Sequence, residues 1–282
     1  MKTVKLNNSI EMPILGFGVY QIEDQSECER AVLDAFEVGY RLIDTASAYR
    51  NEIAVGNAIK ASSVKREDMF ITTKLWIKDA GYENTLKAFD TSLKKLQLDY
   101  LDLYLIHQPF NDVYGSWRAM ERLYKEGRIK AIGVSNFQLD RLTDLMVYNE
   151  VPPAVNQIEI NPFHQRYPDV EYMVTQGIQA EAWAPFAEGK NELFSNELLV
   201  ALSVKYQKTV AQVVLRSLIQ RNIVVIPKSS NRARIAENFD VFDFDISEQD
   251  LELVKQLDTN ESVFFSHRDP EIVKWMSGFV RG

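Results

Sequence analysis

The chain of 282 residues predicts an α/β fold, a (β/α)8 TIM barrel with a short N-terminal β-hairpin and a C-terminal tail. Three observations carry that expectation. Short runs rich in β-branched and aromatic residues alternate with longer segments of helical period, and eight such runs can be counted. No Pro/Gly/Ser linker or low-complexity stretch divides the chain, so residues 1–282 read as one domain. The dinucleotide fingerprint G-x-G-x-x-G of an open doubly wound sheet is missing, because Gly16-Phe17-Gly18 is followed by Val19, Tyr20 and Gln21.

In chain order, VKLNNSIEM reads as a hairpin turning at Asn7-Asn8. The barrel strands follow as ILGFG (14–18), YRLID (40–44), MFITTK (69–74), LDLYLIH (101–107), IKAIGVS (129–135), AVNQIE (154–159), IQAEAW (178–183) and IVVIP (223–227). Helical candidates between them include SECERAVLDAFEVG, GYENTLKAFDTSLKKLQL, YGSWRAMERLYKEG and QLDRLTDLMVYNE, whose apolar residues recur every three or four positions. Several of these close on Gly or Asn.

Composition narrows the function classes. A formal net charge of −8 argues against a general nucleic-acid binder, since phosphate backbones are held by a basic footprint. Apolar stretches are regularly broken by charges, which leaves no candidate membrane span, and the N-terminus lacks the apolar core of a secretory signal. The expectation is a cytoplasmic protein. The lone cysteine, Cys28, cannot form an internal disulfide, and its setting suggests a helix surface without chemistry. His164 and His267 show no partner at metal-ligand spacing, so no metal is expected. Lys228, Arg232 and Arg234 crowd into PKSSNRAR, which is either a solvated basic face or a seat for one anionic group.

The chemistry of a barrel sits at the C-terminal ends of its strands. Here those ends are polar: Asp44, Lys74, His107, Ser135-Asn136 and, within the sixth strand, Gln157. Any one of them reads equally well as a turn or cap residue, but together they would surround one small molecule. Tyr49 follows Asp44 by five residues in a polar loop and can overhang the same mouth. A phenol is a weak acid at neutral pH; an adjacent ammonium, Lys74, would lower its pKa, and Asp44 would keep that ammonium charged. His107 can hydrogen-bond a substrate oxygen or relay a proton, or it is a core histidine satisfied by backbone.

The motifs LGFGVY, GYRLIDTASAYRNE, ITTKLW, LDLYLIHQP, IKAIGVSNF and IPKSSNRARIAEN, in this order over nearly the whole chain, resemble the aldo-keto reductase superfamily. The terminal FFSHRDPEIVKWMSG further resembles the short-tailed branch of 2,5-diketogluconate reductases and prostaglandin F synthases. The resemblance implies reduction of aldehydes and ketones with NADPH, with a catalytic tetrad of Asp44, Tyr49, Lys74 and His107 and with Tyr49 as general acid. It implies that Ser135, Asn136 and Gln157 hold the nicotinamide carboxamide and that Trp183 stacks on the ring. Lys228, Ser229 and Arg234 match residues around the adenosine 2′-phosphate, and Glu237 and Asn238 those that recognise adenine. Arginine's planar fork suits that phosphate and favours NADPH over NADH. The string WAPFAEG departs from the commoner form at Ala184 and Phe186, and Gln108 stands where Trp is frequent. Tyr20, Trp76 and Phe110 are expected to line the substrate pocket, with the tail from His267 through Trp275 near its opening, and the protein is expected to be a monomer. Two other classes compete: an NADPH-binding regulatory module with little turnover, and a Schiff-base lyase using Lys74 as nucleophile, against which the pairing with Asp44 argues.

Overall fold

The computed structural model describes residues 2–281. Eight parallel strands form its centre, in the order of the sequence: β3 (Gly16–Gly18), β4 (Leu42–Asp44), β5 (Phe70–Leu75), β6 (Leu101–Ile106), β7 (Ile129–Ser135), β8 (Val155–Glu159), β9 (Gln179–Trp183) and β10 (Val224–Val225). All eight fall where the apolar runs predict them. A parallel bridge between Leu15 and Val225 joins the first strand to the last, with Val225 N donating to Ile14 O at 3.0 Å and Gly18 N to Pro227 O at 3.1 Å, and so closes the barrel. At that seam a Cβ on Gly18 would lie 2.9 Å from Ile226 O, which explains a glycine with no part in a phosphate-binding fingerprint.

The hairpin β1 (Thr3–Lys5) and β2 (Glu11–Pro13) precedes the barrel. Its turn runs through Asn7-Asn8 as the sequence predicts, with Ser9 in the left-handed region at φ 71°. The two asparagines explain its placement: Asn7 donates to Pro153 O at 3.0 Å and Asn8 to Lys130 O at 2.8 Å, at the N-terminal ends of β8 and β7. The hairpin therefore plugs the face opposite the strand ends that carry the polar residues.

Helices α1 (Gln25–Val38), α2 (Glu52–Ala61), α3 (Tyr82–Leu96), α4 (Val113–Lys125), α5 (Leu139–Val147) and α6 (Tyr167–Thr175) connect successive strands. Asp24 caps α1 by accepting from Glu27 N at 2.8 Å, and Gly39 ends it at φ 128°. Cys28 corrects the surface expectation: it is fully buried, because it shares the inner face of α1 with Ala31, Val32 and Ala35. Burial pushes its thiol up to about 12, so its environment disfavours the thiolate. Two helices, α7 (Glu197–Tyr206) and α8 (Val210–Gln220), lie between β9 and β10, and α9 (Arg232–Phe239), α10 (Glu248–Lys255) and α11 (Pro270–Arg281) complete the chain. Among the described residues no single helix is long and apolar enough to cross a membrane.

Inside the barrel wall, β7 packs tightly on its neighbours at Gly133, where a Cβ would stand 2.6 Å from Val155 O and 2.8 Å from Leu105 Cδ2. Backbone cannot give way as a flexible side chain can. Gly133→Ala is therefore expected to lower stability by about 1–3 kcal/mol in urea unfolding; an unchanged midpoint would refute this account of the wall.

Candidate active site

The mouth is built around Lys74. Its side chain is 0% exposed, and its Nζ donates to Asp44 Oδ1 at 2.5 Å, to Thr45 O at 3.0 Å and to the Tyr49 hydroxyl at 3.3 Å. Burial alone would lower the lysine pKa; the Asp44 charge and hydrogen bond, together with Tyr49, outweigh it and leave the pKa raised. The ammonium is thus charged and committed. Gln157 Nε2 holds the second oxygen of Asp44 at 2.9 Å, so the carboxylate cannot swing away from the lysine.

Tyr49 reaches this pair because the segment after β4 folds into a 3-10 turn, Ser47–Tyr49, that Arg50 ends in the left-handed region at φ 60°. Ser47 Oγ pins the turn by donating to Lys74 O at 2.9 Å. Buried Asn51 fixes it from behind, donating to Val19 O at 2.9 Å and Ile22 O at 3.2 Å and accepting from Thr45 Oγ1 at 2.8 Å. Buried Glu52 accepts from Thr73 Oγ1 at 2.8 Å and pairs with Lys95 at 3.4 Å. Thr45, Ser47, Asn51 and Glu52 were not singled out from sequence; the signal was a largely polar string, DTASAYRNE, at the end of a buried strand.

The expected net lowering of the phenol pKa is not what the site produces. Burial raises Tyr49, to about 12; Lys74 pulls it down, and Asp44 offsets part of that pull. The lysine moderates the effect of enclosure without reversing it. His107, just past β6, lies edge-on to Tyr49, with ring centroids 5.5 Å apart, and to Trp76 at 5.1 Å. Burial, the Lys74 charge and His267 hold its pKa well below the usual histidine range, so the imidazole is neutral at pH 7. Its Nδ1 has no hydrogen-bond partner, while its backbone is clamped by Asn136 Nδ2 donating to His107 O at 3.0 Å. This is not a core histidine satisfied by backbone.

Asn136, Ser135, Gln157 and Trp183 come together on one side of the mouth. Trp183 Nε1 donates to Asn136 Oδ1 at 2.9 Å, Asn136 Nδ2 also donates to Ser135 Oγ at 3.1 Å, and Ser135 Oγ donates to Gln157 O at 2.9 Å. Asn136 adopts φ 65°, a conformation asparagine tolerates. Ala184, at φ 46°, starts a loop with further left-handed residues at Ala187, Glu188, Gly189, Asn191 and Glu192. That loop is tied to Gln21 through Glu188 and to Val263 through Lys190, while Phe186 packs into the apolar core.

The basic cluster divides. Arg232 pairs with Asp34 and, at 2.7 Å, with Glu37, and so fastens α9 to α1. Lys228 and Arg234 are exposed and form no ion pair among the described residues. Ser229 Oγ accepts from Asn231 N at 3.1 Å beside them, Asn231 Oδ1 caps α9 by accepting from Arg234 N at 3.2 Å, Glu237 accepts from Thr209 Oγ1 at 2.9 Å, and Asn238 is buried. Two uncompensated cations at a helix N-terminus suit a phosphate.

Of the expected pocket residues, Tyr20 stacks obliquely on Tyr49 at 4.9 Å and is 51% exposed, and Trp76 abuts His107. Phe110 stands one step away, stacked at 6.3 Å on His267 of the tail. That tail crosses the opening: Thr259 N bonds Phe163 O, Ser262 Oγ donates to Glu159 at 2.5 Å, Phe264 packs on Trp183 at 5.3 Å, and α11 lies against the turn Ile77–Asp79. Trp275 is 57% exposed, with its ring 6.4 Å from Phe265. A cavity of about 570 Å³ opens between the tail and β8, reached by Asn136, Trp183, Arg166 and His267.

The pattern of the Aldo/keto reductase family matches residues 14–259. The chain is 50% identical over 262 residues to a glyoxal reductase of Bacillus subtilis, covering 93% of this chain and 94% of that protein. It is 43% identical over 262 residues to a 9,11-endoperoxide prostaglandin H2 reductase of Trypanosoma cruzi, covering 92% and 93%. A crystal structure of a Bombyx mori aldo-keto reductase in complex with NADP superposes with a TM-score of 0.90 at 35% identity, covering 97% of this chain and 96% of that one. The narrower likeness drawn from the tail thus finds support on its prostaglandin side.

The tail makes the site sensitive to acid. Burial and the Arg166 charge lower His267 from 6.5 to about 4. Between those values the unfolded chain binds the proton and the folded one does not, so stability falls as pH drops. Unfolding followed by tryptophan fluorescence from pH 7 to 4 is expected to show this loss, and His267→Gln should flatten it; parallel pH curves for both proteins would refute the assignment.

Proposed function

Because the chain belongs to the aldo/keto reductase family and is an NADPH-dependent oxidoreductase that reduces carbonyl groups to alcohols, we propose that Tyr49, Lys74, Asp44 and His107 perform the chemistry, with glyoxal-type dicarbonyls as substrates. The observation that carries this reading is the reach of one ammonium to Asp44 at 2.5 Å and to the Tyr49 hydroxyl at 3.3 Å, beside a neutral imidazole.

NADPH supplies the hydride for the carbonyl carbon when bound. Ser135, Asn136, Gln157 and Trp183 would hold its nicotinamide end, and Lys228, Ser229, Arg234, Glu237 and Asn238 its phosphorylated adenosine. His107 orients the carbonyl oxygen by donating an N–H to it. Tyr49 then gives its proton to the alkoxide oxygen, a downhill transfer even for a phenol near 12, because alcohols are weaker acids than phenols. Lys74, held charged by Asp44, stabilises the phenolate left behind. The same commitment removes Lys74 as a Schiff-base nucleophile, which must be a free amine. A complete acid assembly argues equally against a module that only binds cofactor.

The glyoxal reductase relative supports small dicarbonyls as substrates, and the prostaglandin reductase relative supports larger oxygenated ones entering past exposed Tyr20 and half-buried Trp76 and Phe110. The diketogluconate likeness rests on the tail motif FFSHRDPEIVKWMSG and extends the proposal to keto-sugars. The whole chain is read as one cytoplasmic domain acting as a monomer.

NADPH oxidation followed across glyoxal, other α-dicarbonyls, simple aldehydes and keto-sugars tests this reading, with turnover of glyoxal expected. Tyr49→Phe should retain NADPH binding, measured by tryptophan quenching, and lose about 10²–10⁴ in kcat; equal turnover would dismiss Tyr49 as the acid. Arg234→Ala should weaken NADPH binding by roughly 10- to 100-fold and leave NADH binding alone, whereas an equal loss for both would detach Arg234 from the 2′-phosphate.

A further inference from the structure

Beneath the mouth lies a titratable group that the reaction as described leaves unused. Glu181 is two residues before Trp183 on β9, on the same face of the strand, and is 0% exposed. In register it stands beside Gln157 of β8 and Val224 of β10. The Gln157 amide nitrogen is engaged by Asp44 Oδ2 at 2.9 Å and makes only a weak polar contact with Glu181, so neither Glu181 oxygen has a well-formed hydrogen bond. The charges that act on it come from Asp44 of β4 and Lys74 of β5; its strand neighbours Gln157 and Val224 bring none.

Asp44 and Glu181 therefore share the surroundings of one buried ammonium, that of Lys74. Asp44 already matches the ammonium at 2.5 Å, so a second carboxylate would be an uncompensated charge shut away from water. Burial raises Glu181 to about 8, the Asp44 charge acts in the same direction, and Gln157 and Lys74 act against it. Around neutral pH the carboxyl is protonated.

Resting on the reading of Tyr49 as the acid, we propose that Glu181 is a positioning residue that works in its uncharged form, leaving the Lys74 ammonium to Asp44 and Tyr49, and that its ionisation weakens the acid. Ionised Glu181 competes with the phenolate for the same ammonium and adds a negative charge to its surroundings. Tyr49 then holds its proton more tightly, and turnover falls while substrate binding, which does not involve Glu181, is unaffected.

Glu181→Gln keeps the shape and cannot ionise. In the native enzyme kcat for glyoxal reduction should fall roughly tenfold as pH rises through about 8, with KM steady; in E181Q that step should be absent. A second measurement does not depend on turnover. Infrared difference spectra of the cofactor-free protein between about pH 6 and about pH 9.5 should show the native enzyme losing a protonated-carboxyl C=O band that E181Q lacks. The same pH step in both proteins, or the absence of that band from the native protein, overturns the proposal. The spectrum of the native protein decides the protonation state even where E181Q fails to fold. Absence of carbonyl reduction at every pH, with the band present, would instead count against the acid role of Tyr49 on which the proposal rests.

Discussion

An ammonium buried at the top of a barrel strand organises everything around it. Taking Lys74 out of water costs several kcal/mol unless its charge is met, and Asp44 meets it at 2.5 Å. Once that pair exists, the remaining donor capacity of the ammonium is directed to Thr45 O and to the Tyr49 hydroxyl. The position of the Tyr49 hydroxyl, the acid we propose, is thus a consequence of how the lysine is satisfied. Gln157, gripping the other Asp44 oxygen from across the barrel, links this pair to the side of the mouth where Ser135, Asn136 and Trp183 interlock.

The electrostatics of the mouth follow from enclosure as much as from charge. The same burial that keeps His107 neutral raises the Tyr49 phenol and favours the protonated form of Glu181. A neutral imidazole can present an N–H to a carbonyl without repelling Lys74. In the proposed reaction a phenol near 12 keeps its proton until a stronger base, an alkoxide, is formed beside it.

The strands were legible because both faces of a closed barrel are buried, so each reads as a short run rich in apolar and β-branched residues, and the candidate site was legible because several of those runs stop on polar residues, Asp44, Lys74, His107 and Ser135. Quantities set by three-dimensional enclosure were not. The phenol was expected to be lowered by its ammonium neighbour, but no local string reveals that burial exceeds that pull. Arg232 belongs to the basic motif yet turns to Asp34 and Glu37, residues roughly two hundred positions away in sequence. Cys28 looked superficial because charged residues flank it, although its helical phase turns it inward. Glu181 passed as one more residue of a strand, since its importance lies in what stands opposite it.

Asn51 bears on how such a protein can change over time. One buried amide side chain joins Val19, Ile22 and Thr45, and thereby anchors the turn carrying Tyr49 to the scaffold. Tyr20, by contrast, projects outward and is half exposed, and Phe110 meets only the tail residue His267 among the described ring contacts. The proposed proton donor and the proposed substrate-lining residues are therefore fastened by different bonds. Substitutions that reshape the rim can accumulate while the turn carrying Tyr49 stays where it is, so on this proposal the repertoire of accepted molecules is free to drift without displacing the acid.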